Sequence, residues 1–323
     1  MKTSTIIVTY NRPKDLEKCL ESILTQSSLP DEIIIVDNGD SEESRNLINK
    51  KKEEFKKKDI PVKYIKNDKR NSLTVARNLG LKLSIGKIVV FLEDDITLNG
   101  AYLSEVIRVY KEYPEALGVQ GYYASEENWC FRDFIHRLFF WFHLKRDKCQ
   151  IFPSISTTYP LKLNKIIPCQ WMSGVSSYRR QVFREFQFDE KLIKYSDGED
   201  VDFSFRVYQK YPGSLFITPF AKYMHQTSAE GRALGKELIY MREVYGLYLF
   251  YKLFKPTLKN KLIYFWSRFG RFLLTLARAI IKHPPGILAE LRYLLGAYFF
   301  CLFHIKEIKR GELEFFNRRL VNN

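Results

Sequence analysis

The sequence predicts an α/β protein with a mainly parallel sheet covered by helices on both faces. The strand-like runs are uninterrupted Val/Ile stretches, such as IIIV at 33–36, which suit strands buried on both faces. Segments with the apolar spacing of amphipathic helices alternate with those runs, the pattern of βαβ units. In such sheets ligands sit beyond the carboxyl ends of the strands, and there fall Asn11, Asp37 and the acidic triplet Glu93, Asp94 and Asp95.

Residues 4–10 (STIIVTY) form the first strand. Pro13, suited to the first turn of a helix, precedes Leu16, Leu20, Ile23 and Leu24 on one helical face. A second strand at 33–37 leads to a helix near 41–57, whose Lys-rich block at 50–58 reads as a solvated face. A third strand at 62–65, a helix at 72–83 and a fourth strand at 88–92 complete the regular alternation. Regularity weakens from Tyr123 to Leu163, where residues 129–143 (WCFRDFIHRLFFWFH) are unusually aromatic and suit a short amphipathic helix. Residues 169–180 return to strand and turn. Residues 196–207 open a helix, with Ser196 or Asp197 available to cap it. Beyond Gly231 the chain becomes Leu/Phe/Tyr-rich, helical and studded with Lys and Arg, broken by Pro256 and by HPPG at 283–286. A boundary is expected near residue 228, between domains 1–228 and 229–323.

At 323 residues the chain can bury a large core. Its five cysteines form no C-x-x-C pair and are odd in number, against a disulfide framework or a zinc site. The first apolar run, Ile6–Val8, is too short for the core of a secretory signal, so the protein is expected to begin in the cytosol. The net charge of +15 suits a polyanionic partner: nucleic acid, anionic lipid or a phosphorylated substrate. The basic residues are not arranged as a nucleic-acid reader, so no nucleic acid partner is expected. No G-x-G-x-x-G follows the first strand, which argues against a dehydrogenase.

Why should the buried run VVFLEDD (89–95) end on three carboxylates? They raise one another's pKa unless solvated or bridged by a cation. In extended backbone Glu93 and Asp95 converge while Asp94 turns away. Oxygen ligands of this kind suit Mg²⁺ or Mn²⁺. A solvated acidic turn is the alternative. Farther on, Glu199, Asp200 and Asp202 sit in the first turn of a helix, where acidic residues are favourable by themselves and where Asp200 would stay ionised. Trp171 could wall a sugar, with Gly174 allowing close approach, or could merely pack.

Five motifs in order, IVTYNR (7–12), VDNGD (36–40), ARNLG (76–80), LEDD (92–95) and GEDVDFSFR (198–206), resemble those of family 2 glycosyltransferases, which have the GT-A fold. The resemblance covers the chain up to the boundary near 228. It implies an inverting transfer of a sugar from a nucleotide-diphosphate donor to a hydroxyl acceptor, either a glycan or a lipid-linked precursor. Donor contacts would come from Thr9, Tyr10, Asn11, Arg12, Asp37, Arg77 and Asp94, with Asp37 at the base. Glu93, where Asp is commoner, and Asp95 would hold the metal. His225, in a position where such enzymes often carry a His, would join them or the phosphates. Asp200 would be the general base, and Glu199, with Trp171 and Gly174, would face the acceptor. A catalytically silent nucleotide-sugar or carbohydrate-binding module on the same fold is the alternative. Residues 286–305 are about long enough to cross a bilayer but contain Glu290 and Arg292, so an in-plane helix on anionic lipid fits better, beside a packed helical cap. The expected place is the cytoplasmic face of the cell membrane.

Overall fold

In the computed structural model, which describes residues 1–123, 138–139, 148–160, 162–226 and 235–321, the Ile/Val runs become central strands with no solvent face. β1 (Thr3–Thr9), β2 (Glu32–Asp37), β3 (Val62–Lys66) and β4 (Ile88–Glu93) are all parallel, with β1 between β2 and β4 and half-buried β3 beyond β2. The helices between them start where the sequence says. Pro13 opens α1 (Pro13–Leu24), and the Ser41 hydroxyl accepts the Ser44 N–H at 3.2 Å to cap α2 (Glu42–Lys56). Ser72 does the same for Val75 at the head of α3 (Leu73–Leu83).

The sheet is mixed across its full width, where the sequence suggested mainly parallel pairing. β5 (Ile96–Leu98), β6 (Gly118–Tyr123), β7 (Ile167–Pro168), β8 (Ser176–Arg179) and β9 (Leu215–His225) extend it in the order β3-β2-β1-β4-β8-β6-β9-β5, with β7 on β9. In this half β6 and β9 are parallel, while β8 runs antiparallel to both neighbours, as do β5 and β7 to β9. β5, β7 and β8 are short, and β9, though eleven residues long, has its apolar residues interrupted by Thr218, Pro219 and Lys222, so none shows the unbroken Ile/Val run of the parallel half. α4 (Tyr102–Glu112) buries Tyr102, Val106 and Val109.

α5 (Glu199–Lys210) starts after Gly198, not after Ser196 or Asp197. Gly198 has φ 87°, a left-handed turn that glycine adopts without strain, while the Ser196 hydroxyl is used inside the preceding loop, donating to the Leu192 carbonyl at 2.8 Å. That loop is clasped to α3 by Asn78: its amide nitrogen donates to the Phe188 carbonyl at 2.9 Å, and its oxygen accepts the Phe188 N–H at 3.1 Å.

The chain divides into two compact units, residues 1–126 with 160–232 and residues 127–159 with 233–323. The described residues 138–139 and 148–159 group with the helical unit. The aromatic stretch 129–143 lies outside the described residues except for Leu138 and Phe139. The helical unit contains α6 (Gly235–Leu253), α7 (Leu258–Ile281), α8 (Ile287–Phe303), α9 (Ile305–Arg310) and α10 (Glu314–Val321). No described helix is long and apolar enough to cross a membrane. α8 buries Leu294, Ala297 and Cys301 and leaves Leu288, Leu295, Phe299 and Leu302 exposed.

Replacing Asn78 by Ala would strip two buried backbone groups of their partner, at about 1–3 kcal/mol each. The urea midpoint of Asn78→Ala should fall clearly below that of the parent chain; an unchanged midpoint would show that the clasp contributes nothing.

Candidate active site

Register places the strand ends level with one another: Thr9 pairs with Asp37, and Val8 with Glu93. Beyond them the acidic triplet divides. Asp94 turns to the loop after β1, where Oδ2 accepts the Thr9 hydroxyl at 2.8 Å and the Tyr10 N–H at 3.4 Å. One Arg12 nitrogen, Nη1, donates to Asp94 at 3.1 Å and to Asp95 at 3.3 Å. Burial pushes the Asp94 carboxyl up to about 6, against the pull of the Arg12 guanidinium.

Glu93 and Asp95 converge from the other side of this division. β4 stops at Glu93 and the next two residues turn, so the convergence comes from the turn and from β9 rather than from strand alternation alone. Antiparallel pairing of β5 with β9 sets His225 opposite Ile96. His225 Nε2 then lies 2.9 Å from Asp95 Oδ1 and 3.6 Å from Glu93 Oε2. One donor atom from each of the three residues falls within 4.8 Å of the others. The two carboxylates are hard donors that suit Mn²⁺ or Mg²⁺, and the imidazole adds a borderline nitrogen donor that Mn²⁺ accepts more readily than Mg²⁺.

A buried guanidinium ties this cluster to α5. Arg77 Nη1 bonds both oxygens of Glu199, at 2.7 and 2.8 Å, while Nη2 lies 3.4 Å from the Gly174 carbonyl and 3.9 Å from Glu93. The guanidinium Cζ lies 5.6 and 5.2 Å from the Phe91 and Phe188 ring centroids, within cation–π reach of both. Arg77 and Glu199 thus face each other, where the sequence assigned them separately to donor and acceptor. Gly174 also has a local reason: a Cβ there would stand 2.2 Å from Glu93 Oε1, so the close approach it allows is that of Glu93. Burial pushes the Glu199 carboxyl up, opposed by Arg77. Next to it, Asp200 occupies the first turn of α5, its Oδ1 accepting the Val201 N–H at 2.7 Å. Burial raises Asp200 to about 6, the Val201 N–H and Arg77 pulling it down and the nearby Glu93 charge pushing it up.

Other predicted residues shape the walls. Asn11, at φ 54°, accepts the N–H groups of Asp40 and Ser41 at 2.9 and 3.1 Å, and Gly39 leaves room for it, since a Cβ there would lie 2.1 Å from Asn11 Oδ1. Asp37 is fully buried, accepting the Gly39 N–H at 2.8 Å and the Tyr64 hydroxyl at 3.0 Å. Trp171 is half-buried, its carbonyl accepting from Gln120 at 3.2 Å, and the same Gln120 accepts the Ser173 N–H at 3.0 Å. Gln120 and Asn78 are positioning residues that sequence reasoning missed. The signal for Gln120 was a lone amide inside the run GVQGYY (118–123), a buried strand.

An open α/β sheet with a carboxylate–histidine cluster at its strand ends is the architecture of GT-A glycosyltransferases, and comparison bears the fold out. The mannosyltransferase PcManGT from Pyrobaculum calidifontis, solved with GDP-Man and Mn²⁺, superposes over 93% of this chain and 87% of its own with a TM-score of 0.56 at 15% identity. Residues 4–186, more than half of the chain, match the sequence profile described as Glycosyl transferase family 2, and the chain belongs to that family. Glycosyltransferase GlyA of Streptococcus pneumoniae is 27% identical over 64% of this chain and 28% of its own length. The glucosyl-dolichyl phosphate glucuronosyltransferase of Haloferax volcanii is 28% identical over 44% of each. The aligned part is thus less than half of either relative.

Arg77→Met would leave Glu199 buried without its counter-charge, a loss of about 3–5 kcal/mol. Urea unfolding should show Arg77→Met well below the parent and the double variant Arg77→Met/Glu199→Met partly restored. A double variant no more stable than the single one would mean that the pair is not what holds α5 to α3.

Proposed function

We propose that the chain is an inverting, metal-dependent glycosyltransferase moving a sugar from a nucleotide-diphosphate donor to a hydroxyl of a glycan or lipid-linked acceptor, in polysaccharide or glycolipid synthesis. The observation that carries this is the convergence of Glu93, Asp95 and His225 at the strand ends, close enough to Asp200 for the Glu93 charge to raise its pKa. Glu93, Asp95 and His225 would hold Mn²⁺ or Mg²⁺. When bound, the cation supplies positive charge that stabilises the diphosphate as it leaves.

The chain's own residues do the rest. Thr9, Tyr10 and Arg12 fix Asp94 and so set the loop over which the donor lies, with Asn11 and Asp37 shaping the nucleotide side of it. Asp200 takes the proton of the acceptor hydroxyl as the acceptor oxygen bonds to the anomeric carbon from the face opposite the leaving diphosphate, which inverts that centre. Arg77 and Glu199 hold α5 so that Asp200 faces the cluster, and Trp171 offers an aromatic wall for the acceptor. A relative named for a dolichyl phosphate-linked sugar supports a lipid-linked acceptor. The basic helical unit supports a peripheral site of action at the cytoplasmic face of the cell membrane, on anionic lipid.

Thermal shift across nucleotide sugars, with and without Mn²⁺ or Mg²⁺, tests donor and cation together, because a ligand of the folded state raises its melting temperature. Asp95→Asn should abolish the cation-dependent part of the shift. Asp200→Asn should keep it yet lower turnover by about a hundredfold or more. Equal loss of donor binding in both variants would refute these roles, and an active enzyme whose product retains the donor's anomeric configuration by NMR would refute inversion.

A second expectation concerns pH. Asp200 must be ionised to take a proton, and burial holds it near about 6, so turnover should fall as pH drops through that value and level off above it. A bound cation pulls the inflection lower; a rate that instead declines on going from pH 6 to 8 would point to a different base.

A further inference from the structure

The helical unit has a cavity of its own. It measures about 360 Å³ and is enclosed by α6, α7, α8 and the start of α9, within the range of about 300–1,000 Å³ usual for small-ligand sites. At its inner wall Glu243, almost fully buried, is held by Arg271 at 2.6 Å and by Arg268 at 3.4 Å. The remaining lining is almost wholly apolar, with Phe265, Phe269, Leu295 and Leu302 at its edge. Those four are 44, 48, 38 and 58% exposed, so the cavity opens on an apolar surface rather than on a polar one.

That surface continues along both helices. On α7, Leu258, Leu262, Phe265 and Phe269 follow one another at helical spacing, and on α8 so do Leu288, Leu295, Phe299 and Leu302, all exposed. Exposed cations interrupt and end the second stripe: Arg292 falls between Leu288 and Leu295, and Lys306 follows Leu302 by one turn. Residues 235–321 as a whole carry sixteen Lys and Arg against six Asp and Glu. An apolar stripe with cations in line suits the boundary of an anionic bilayer, and a half-open, largely apolar cavity on that stripe suits one hydrocarbon chain.

We infer that the α7–α8 face docks on anionic membrane and that the cavity between α6, α7 and α8 takes a single hydrocarbon chain of an anionic lipid. This deepens the membrane part of the function proposed above and stands apart from its chemistry. Phe265, Phe269, Leu295 and Leu302 line the entry, Glu243 and Arg268 close the inner wall, and Arg292 and Lys306 meet the headgroups.

The test uses the full chain and two probes: vesicles of phosphatidylglycerol or of phosphatidylcholine, and lysophosphatidylglycerol below its micellar concentration. The chain should sediment with phosphatidylglycerol vesicles at low salt, less at high salt, and little with phosphatidylcholine. Vesicles brominated on the acyl chains should quench Trp266, which is 41% exposed on α7, as judged against Trp266→Phe. Phe269→Glu should weaken vesicle binding by about tenfold or more, the effect of one buried Phe. Lysophosphatidylglycerol should bind one to one, and Leu295→Trp, which fills the mouth at a partly exposed position, should abolish that while vesicle binding persists. Circular dichroism melting confirms that each variant is folded.

Failure to sediment with anionic vesicles overturns the docking face. Vesicle binding without saturable one-to-one binding of the single-chain lipid overturns the chain site. A concentration-dependent dimer that Phe269→Glu makes monomeric, with no lipid binding, assigns the face to a second copy and overturns both. Nucleotide-sugar binding by the same preparation reports separately, so a chain that binds donor but no lipid overturns only this inference.

Discussion

The first unit depends on one buried positive charge. Arg77 has almost no contact with water, and a guanidinium so placed must be met by anions and hydrogen-bond acceptors or the unit loses several kcal/mol. Glu199, the Gly174 carbonyl and Glu93 meet it from three directions. Because those groups stand on α5, on the turn before β8 and at the end of β4, neutralising one charge fixes three segments at once. The Phe91 and Phe188 rings, packed edge to face against each other, both lie within cation–π reach of the guanidinium. The helical unit applies the same rule with the sign reversed, holding buried Glu243 between two arginines.

Charge is also segregated along the chain. Ten of the fifteen net positive charges lie in residues 235–321, which make up about a quarter of the sequence, while the strand ends of the first unit gather carboxylates. An anionic donor would be repelled by that cluster alone. Arg12 relieves part of the repulsion from within the protein, by lying between Asp94 and Asp95, and a divalent cation held by the cluster would relieve the remainder. The net charge of the chain therefore says little about its active site and much about the helices beyond it.

The parallel half of the sheet was legible in the sequence because burial on both faces leaves an unmistakable trace: β1, β2 and β4 read as apolar runs that stop on polar residues. The other half was not. β5 has three residues and β7 two, and β8 is SSYR, so their pairing rests on partners distant in sequence. The site followed the same division. Asn11, Asp37, Glu93, Asp94 and Asp95 could be placed from strand ends, whereas His225 stands 130 residues from Asp95 and came from family resemblance. The meeting of Arg77 with Glu199, 122 residues apart, left no local signal at all. Gly198 at the head of α5 was visible only as a glycine beside two better-known capping residues, and the left-handed turn decided between them.

β9 has a consequence for the order in which the molecule can be built. It pairs with β5, β6 and β7, and β5 has no other described strand partner. A nascent chain that has emerged only to α5 already holds Glu93 and Asp95, yet it lacks the strand that straightens the segment after them and the imidazole that joins them. Until β9 arrives the carboxylates face one another without that neighbour, and β5 and one edge of β6 stay open to pairing with other chains. Closing the sheet and bringing His225 to Glu93 and Asp95 are thus one event, reached through contacts of high sequence separation, which favours slow formation and leaves a point of exposure to aggregation.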